Sequence, residues 1–182
     1  MTKWDFDCKL SFSLGAREQT DLDTLKTAIH SCVSVEKTDV ETDKTGIDYI
    51  ATLKDGAQIG IDAKAREKGA SRYWNYGEAE LALEIWSVCP TKTTKGKKGW
   101  TLSEKSNVDY ILYTFDRRDW NKFYLLPFQL LRNAFNKNGA KWCRKYKRKK
   151  QQSNYWQSEA VFVPASVVLS AIAQEMIITK YT

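Results

Sequence analysis

The chain has 182 residues, of which 42% are apolar and 28% charged, and its net charge is +7. That length and balance fit one domain, residues 1–182, with a sizeable core, and they exclude global disorder. The longest nearly apolar stretch, Ala160 to Ala173, is too short for a bilayer and is interrupted by Pro164, and the first six residues lack the regions of a signal peptide, so an intracellular, cytoplasmic protein is expected.

Taken in order, Lys9 to Leu14 alternates as an entering strand does. Glu18, Leu22, Leu25 and Ile29 then recur at spacings of four, three and four, which predicts a helix with all of them on one stripe. Glu18 is either a solvated first-turn charge or an acid aimed along that stripe. Residues 38–45 read as a polar loop. Asp48–Leu53 and Ile59–Lys64 flank Asp55-Gly56, a strong hairpin signal because Gly accepts the positive φ that a tight turn needs.

Beyond a polar loop at 67–77, Glu80–Val88 alternates Leu81, Leu83 and Ile85 against Glu84 and reads as a third strand. A basic loop follows at 91–99. Val108–Phe115 and Phe123–Leu126 make two more strands, separated by a charged turn at 116–122. Pro127 suits the first turn of a helix from Phe128 to about Asn138, with Asn138-Gly139 as its stop. Ala160–Val163 reads as a last strand before a helix led by Pro164. This order predicts an α/β or α+β domain with one mixed sheet flanked by helices.

Four cysteines, Cys8, Cys32, Cys89 and Cys143, are scattered without a C-x-x-C, and His30 is the single histidine, which points to reduced, half-buried thiols rather than zinc or disulfides. The basicity is local. Between Asp119 and Glu159 there are ten bases and no acid, and the remaining chain has 19 bases against 22 acids. Seven of the ten fall at 141–150, namely Lys141, Arg144, Lys145, Lys147, Arg148, Lys149 and Lys150, with Trp142 and Tyr146 interleaved. Bases that neutralise phosphates, beside rings that stack on bases or sugars, make this segment a candidate nucleic-acid contact.

The hairpin carries the other candidate chemistry. Asp62 and Lys64 share a face by the strand's period of two, and Asp48 opens the paired strand. Two carboxylates converging on one face supply hard oxygen ligands for Mg²⁺ or Mn²⁺, and a neighbouring amine can orient water and offset charge building on a phosphate. Glu84 is a further candidate ligand or a partner for Lys64. The competing reading is a surface ribbon with Asp62 and Lys64 as a solvated pair, against which Ile50, Leu53, Ile59 and Ile61 imply burial.

Asp48, Asp62 and Lys64 together resemble the PD-(D/E)XK nuclease superfamily: an acid at the start of one core strand, then acid-x-Lys at the end of the next. The resemblance implies a restriction-endonuclease-like core, a Mg²⁺- or Mn²⁺-dependent deoxyribonuclease, duplex or branched DNA as substrate, and a homodimer. It also implies Glu18 as the helix glutamate, and the layout looks like small phage-type members in which Glu84 and the pair Asp109-Tyr110 follow. Ile47 stands where the family has Pro. A strict two-residue turn would set Asp48 opposite Ala63, on the wrong face, whereas an odd-length loop such as Asp55-Gly56-Ala57 sets it opposite Lys64. The nuclease reading therefore predicts a bulged or three-residue turn. Two alternatives are a non-catalytic nucleic-acid-binding protein with a degenerate nuclease core and a phage-type interaction module with an acidic partner.

Overall fold

A computed structural model describes residues 18–39, 46–66, 79–104, 107–115, 123–152 and 155–180. The strand expected at Lys9 to Leu14, the loop at 67–77, the turn at 116–122 and Cys8 lie outside the described residues.

The elements run α1 (18–28), β1 (Cys32–Lys37), β2 (Tyr49–Leu53), β3 (Gln58–Arg66), β4 (Glu80–Val88), β5 (Lys97–Lys98), a 3-10 turn (Trp100–Leu102), β6 (Tyr110–Phe115), β7 (Phe123–Pro127), α2 (Phe128–Lys145), β8 (Arg148–Gln152), β9 (Gln157–Pro164) and α3 (Ala165–Lys180). The mixed α/β expectation holds. The single sheet does not: among the described residues there are two, a five-stranded mixed sheet ordered β1-β2-β3-β6-β7 and a four-stranded sheet ordered β5-β4-β9-β8.

In the first sheet β1, β2 and β3 form an antiparallel meander, and β6 lies parallel to β3. A parallel neighbour requires a crossover. Here the crossover contains β4 and β5, and β4 finds its long antiparallel partner in β9, from the far end of the chain. That pairing joins the middle of the sequence to its end, a connection that no local pattern announces.

Strand alternation splits the core in two. Ala51, Ile61 and Leu112 meet Leu25 and Ile29 of α1 on one face of the first sheet. On the other side Ile111, Tyr113 and Phe115 pack with Leu81, Leu83, Val161 and Val163 of the second sheet and with α2 and α3. Ala82 N–H donates to the Tyr113 hydroxyl at 2.8 Å, tying β4 to the first sheet.

The helix α2 runs through Asn138-Gly139 rather than stopping there. Phe128, Leu131, Phe135, Gly139 and Trp142 are all buried on one stripe, and burial of that stripe outweighs the local cost of Gly in a helix. Gly139 is required for space: a Cβ there would sit 2.9 Å from Phe135 Cε1. Trp142, 3% exposed, is thus a core residue and not a stacking platform for bases. The strand β1 was not evident in the sequence, since Cys32–Lys37 alternates only one buried side chain, Val35, against its charges.

Cys32, Cys89 and Cys143 are free thiols, half-buried or buried, and burial pushes the Cys143 thiol up. Among the described residues no helix is long and apolar enough to cross a membrane.

Candidate active site

The hairpin loop between β2 and β3 is three residues long, Lys54-Asp55-Gly56. Leu53 N–H donates to Ala57 O at 2.9 Å and Gly56 N–H to Leu53 O at 3.0 Å, with Gly56 at a φ of 83°. The Asp55 carboxylate accepts from Ala57 N–H at 3.0 Å, which holds the loop. A turn closed by a left-handed Gly is the usual three-residue solution. The loop is odd in length, as expected, but begins one residue earlier than Asp55. Tyr49 pairs with Ile61, so Asp48 stands level with Asp62 rather than opposite Lys64.

Where the β2 ladder ends, the Asp48 side chain continues it: Ala63 N–H donates to Asp48 Oδ2 at 2.7 Å. Its backbone N–H donates to Ile61 O at 2.9 Å. The carboxylate is thereby held beside that of Asp62. Asp62 is 6% exposed and forms an ion pair with Lys64, whose side chain remains about one-third open to solvent. Asp62 is pushed up to about 7, chiefly by burial; the Lys64 ammonium pulls it down, and the charge and hydrogen bonding of Asp48 push it up again. Near neutral pH, then, two carboxyls share a half-dry spot with one amine. Such a spot favours a proton, or a cation in its place.

Glu18 and Glu84 are not brought to this spot. Glu18 pairs with Lys37 at 2.7 Å on the α1 side of the sheet, with both side chains substantially exposed. Glu84 lies on β4, which is not a neighbour of β3, and its Oε2 accepts from Trp100 N–H at 3.1 Å, capping the 3-10 turn. Asp109 secures the start of β6: its carboxylate accepts from Gly60 N–H at 2.8 Å, and its own N–H donates to Gly60 O at 2.8 Å.

A buried acid and a nearby base were missed. Asp21 of α1 is 2% exposed and accepts from the Tyr49 hydroxyl at 3.4 Å, on the face of the sheet opposite Asp62. Arg66 follows Lys64 by two on the same face. Its guanidinium sits 4.7 Å from the Phe162 ring centroid, and its Nη1 donates to Glu80 O at 3.2 Å. The period of two that pairs Asp62 with Lys64 also includes Arg66, so its signal was present in the sequence.

The basic segment is not one surface. Lys141, Arg144 and Lys145 lie on the last turns of α2, where bases suit the helix C-terminus. Lys147 precedes β8, and Arg148, Lys149 and Lys150 lie on that strand at the edge of the second sheet. Arg148 is engaged elsewhere: its Nε donates to Glu159 at 2.8 Å, and its Nη2 contacts the same carboxylate.

No protein-family model, no curated protein and no solved structure matches the chain.

Proposed function

We propose that this protein is a metal-dependent endonuclease of PD-(D/E)XK type that hydrolyses phosphodiester bonds in DNA, acting inside the cell. The observation that carries the reading is the meeting of Asp48, Asp62 and Lys64 at the end of the hairpin, with Asp62 pushed up to about 7. The mixed sheet with helices on both sides agrees with the core that the resemblance implies.

The donor set fits a hard divalent cation. Asp48 and Asp62 would hold Mg²⁺ or Mn²⁺, which keeps several waters and accepts phosphate oxygen as a further ligand. When bound, the ion supplies Lewis-acid charge at the scissile phosphate. Asp48 stays oriented by its bond from Ala63 N–H. The Lys64 ammonium, beside Asp62, would orient the attacking water and offset negative charge on the phosphate. Arg66, one step further along the strand, extends the positive surface available to the backbone of the substrate.

One observation favours a second reading, a non-catalytic nucleic-acid-binding protein: among the described residues no three His, Cys, Asp or Glu side chains come together as a metal group. A single assay separates the two. Supercoiled, linear, single-stranded and four-way-junction DNA are incubated with Mg²⁺, Mn²⁺ or EDTA, beside Lys64→Ala and Asp62→Asn. Metal-dependent cleavage that both variants lose is expected. No cleavage of any substrate, with salt-dependent binding intact in all three proteins, overturns the catalytic reading.

A further inference from the structure

The second sheet has a face that the site does not use. In register, Ala82 lies beside Phe162 and Lys149 beside Ala160, while Gln151 lies beside Ser158, so these side chains share one surface. The opposite surface holds Leu81, Leu83, Val161 and Val163 in the core. Lys147 O accepts from Phe162 N–H at 2.9 Å, which brings Lys147 level with Phe162. Arg66 stacks on that same ring, two residues beyond Lys64.

A row therefore leads from Arg66 over Phe162, Ala160 and Ser158, flanked by Lys147, Lys149 and Gln151. At its far end Tyr155 and Trp156 are 88% and 48% exposed, with their rings stacked at 6.4 Å and 27°. From Phe162 to Trp156 the strand covers about 20 Å. Two acids of β4 border the row, Glu80 level with Pro164 and Glu84 level with Ala160; burial pushes the Glu80 carboxyl up, against the pull of Arg66 and Lys147, and Glu84 is engaged by Trp100 N–H.

Lysines on an edge strand are an ordinary guard against strand-to-strand association. Two large rings left in solvent at the end of the same strand pair do the reverse, since they add an apolar patch where the lysines would remove one. A polyanion that also offers flat apolar faces satisfies both features. An unpaired nucleic-acid strand has that chemistry, whereas a duplex keeps its base faces stacked inside.

We infer that the β8–β9 hairpin is a platform for unpaired DNA, with Lys147 and Lys149 on the phosphates and Tyr155 and Trp156 stacked on bases. The platform extends the nuclease reading, because its row begins at Arg66 beside the candidate site; it is a binding surface whether or not the chain cuts.

The test is binding in EDTA, where cleavage plays no part. Fluorescence anisotropy compares labelled oligothymidylate with a blunt duplex of the same length. The wild-type chain should prefer the oligothymidylate. Tyr155→Ala with Trp156→Ala should weaken its binding about 30-fold or more, while Trp156→Phe alone, which keeps a ring, stays near wild type. Lys147→Ala with Lys149→Ala should weaken binding and lower the slope against log salt by about 1.4. Unchanged oligothymidylate binding in the double aromatic variant, or a duplex bound as tightly as the single strand, overturns the inference. Metal-dependent cleavage with no such preference would leave the nuclease reading standing and remove this one.

Discussion

Asp62 and Glu159 are buried to the same degree, 6% each, on strands of different sheets. Each is paired with a cation whose side chain reaches solvent, Lys64 at 32% and Arg148 at 49% exposure. The difference is the third group. Glu159 meets the guanidinium of Arg148 through two nitrogens that converge on one carboxylate oxygen, Oε1. Asp62 meets the single ammonium of Lys64 and also the carboxyl of Asp48, so one positive charge faces two acids. A buried acid answered by one Arg is a structural device; a buried acid left with surplus negative charge keeps capacity for another cation.

The sharpest way to break this contrast is DNA cleavage. Lys64→Ala or Asp62→Asn is expected to lower the Mg²⁺-dependent nicking rate about 1,000-fold or more, while Arg148→Ala changes it less than about tenfold below its melting temperature. Equal losses in both pairs would show that burial, and not the third group, decides.

Stability should divide the pairs in opposite directions. Arg148→Ala leaves Glu159 buried without its guanidinium partner and should cost about 1–3 kcal/mol in urea unfolding. Asp62 behaves the other way, because its folded value of about 7 lies above the 3.8 of an ordinary aspartate. The folded state then binds the proton more tightly, so stability is lost as pH rises from about 4 to about 7. Asp62→Asn removes that loss: it should match wild type near pH 4 and exceed it by about 1–3 kcal/mol at pH 8.

A smaller effect sharpens the comparison through ligand linkage. Because a cation displaces the proton of Asp62, Mg²⁺ or Mn²⁺ should raise the melting temperature more at pH 8 than at pH 6, and should do so far less in Asp62→Asn. Glu159→Gln should leave the metal-dependent shift in place. The smallest effect belongs to the exposed pair Glu18–Lys37: Glu18→Gln should alter stability by under about 0.5 kcal/mol and leave the cleavage rate near wild type. A large loss there would draw α1 into the site.

Much of this was legible residue by residue. The alternation around Asp55-Gly56 placed a hairpin, and the expectation of an odd-length loop placed Asp48 on the face of Asp62, although the loop starts at Lys54. The spacing of Leu22, Leu25 and Ile29 placed α1. Glu84 was misread because alternation locates a face within a strand but says nothing about which strand lies beside it, and β4 pairs with β9 rather than β3. Asn138-Gly139 failed as a stop because Gly139 is where the Phe135 ring needs room. Trp142 and Tyr146 looked like stacking rings from their basic neighbours, while Trp142 is buried and, among the described residues, Phe123, Tyr155 and Trp156 expose their rings outside the charged run.

By itself, then, the sequence determined the local matters: turn chemistry, the period of each strand and helix, the amine two residues after Asp62, and the confinement of surplus positive charge to one stretch. These depend on neighbours within a few positions, which backbone geometry relates directly. Only the tertiary structure decided that Asp48 and Asp62 stand side by side and that Arg148 is held by Glu159. It alone set Arg66 against Phe162, nearly a hundred positions away. Those pairings follow from closing long stretches of chain around two cores, and the partner that each charge meets there depends on packing that no local pattern encodes.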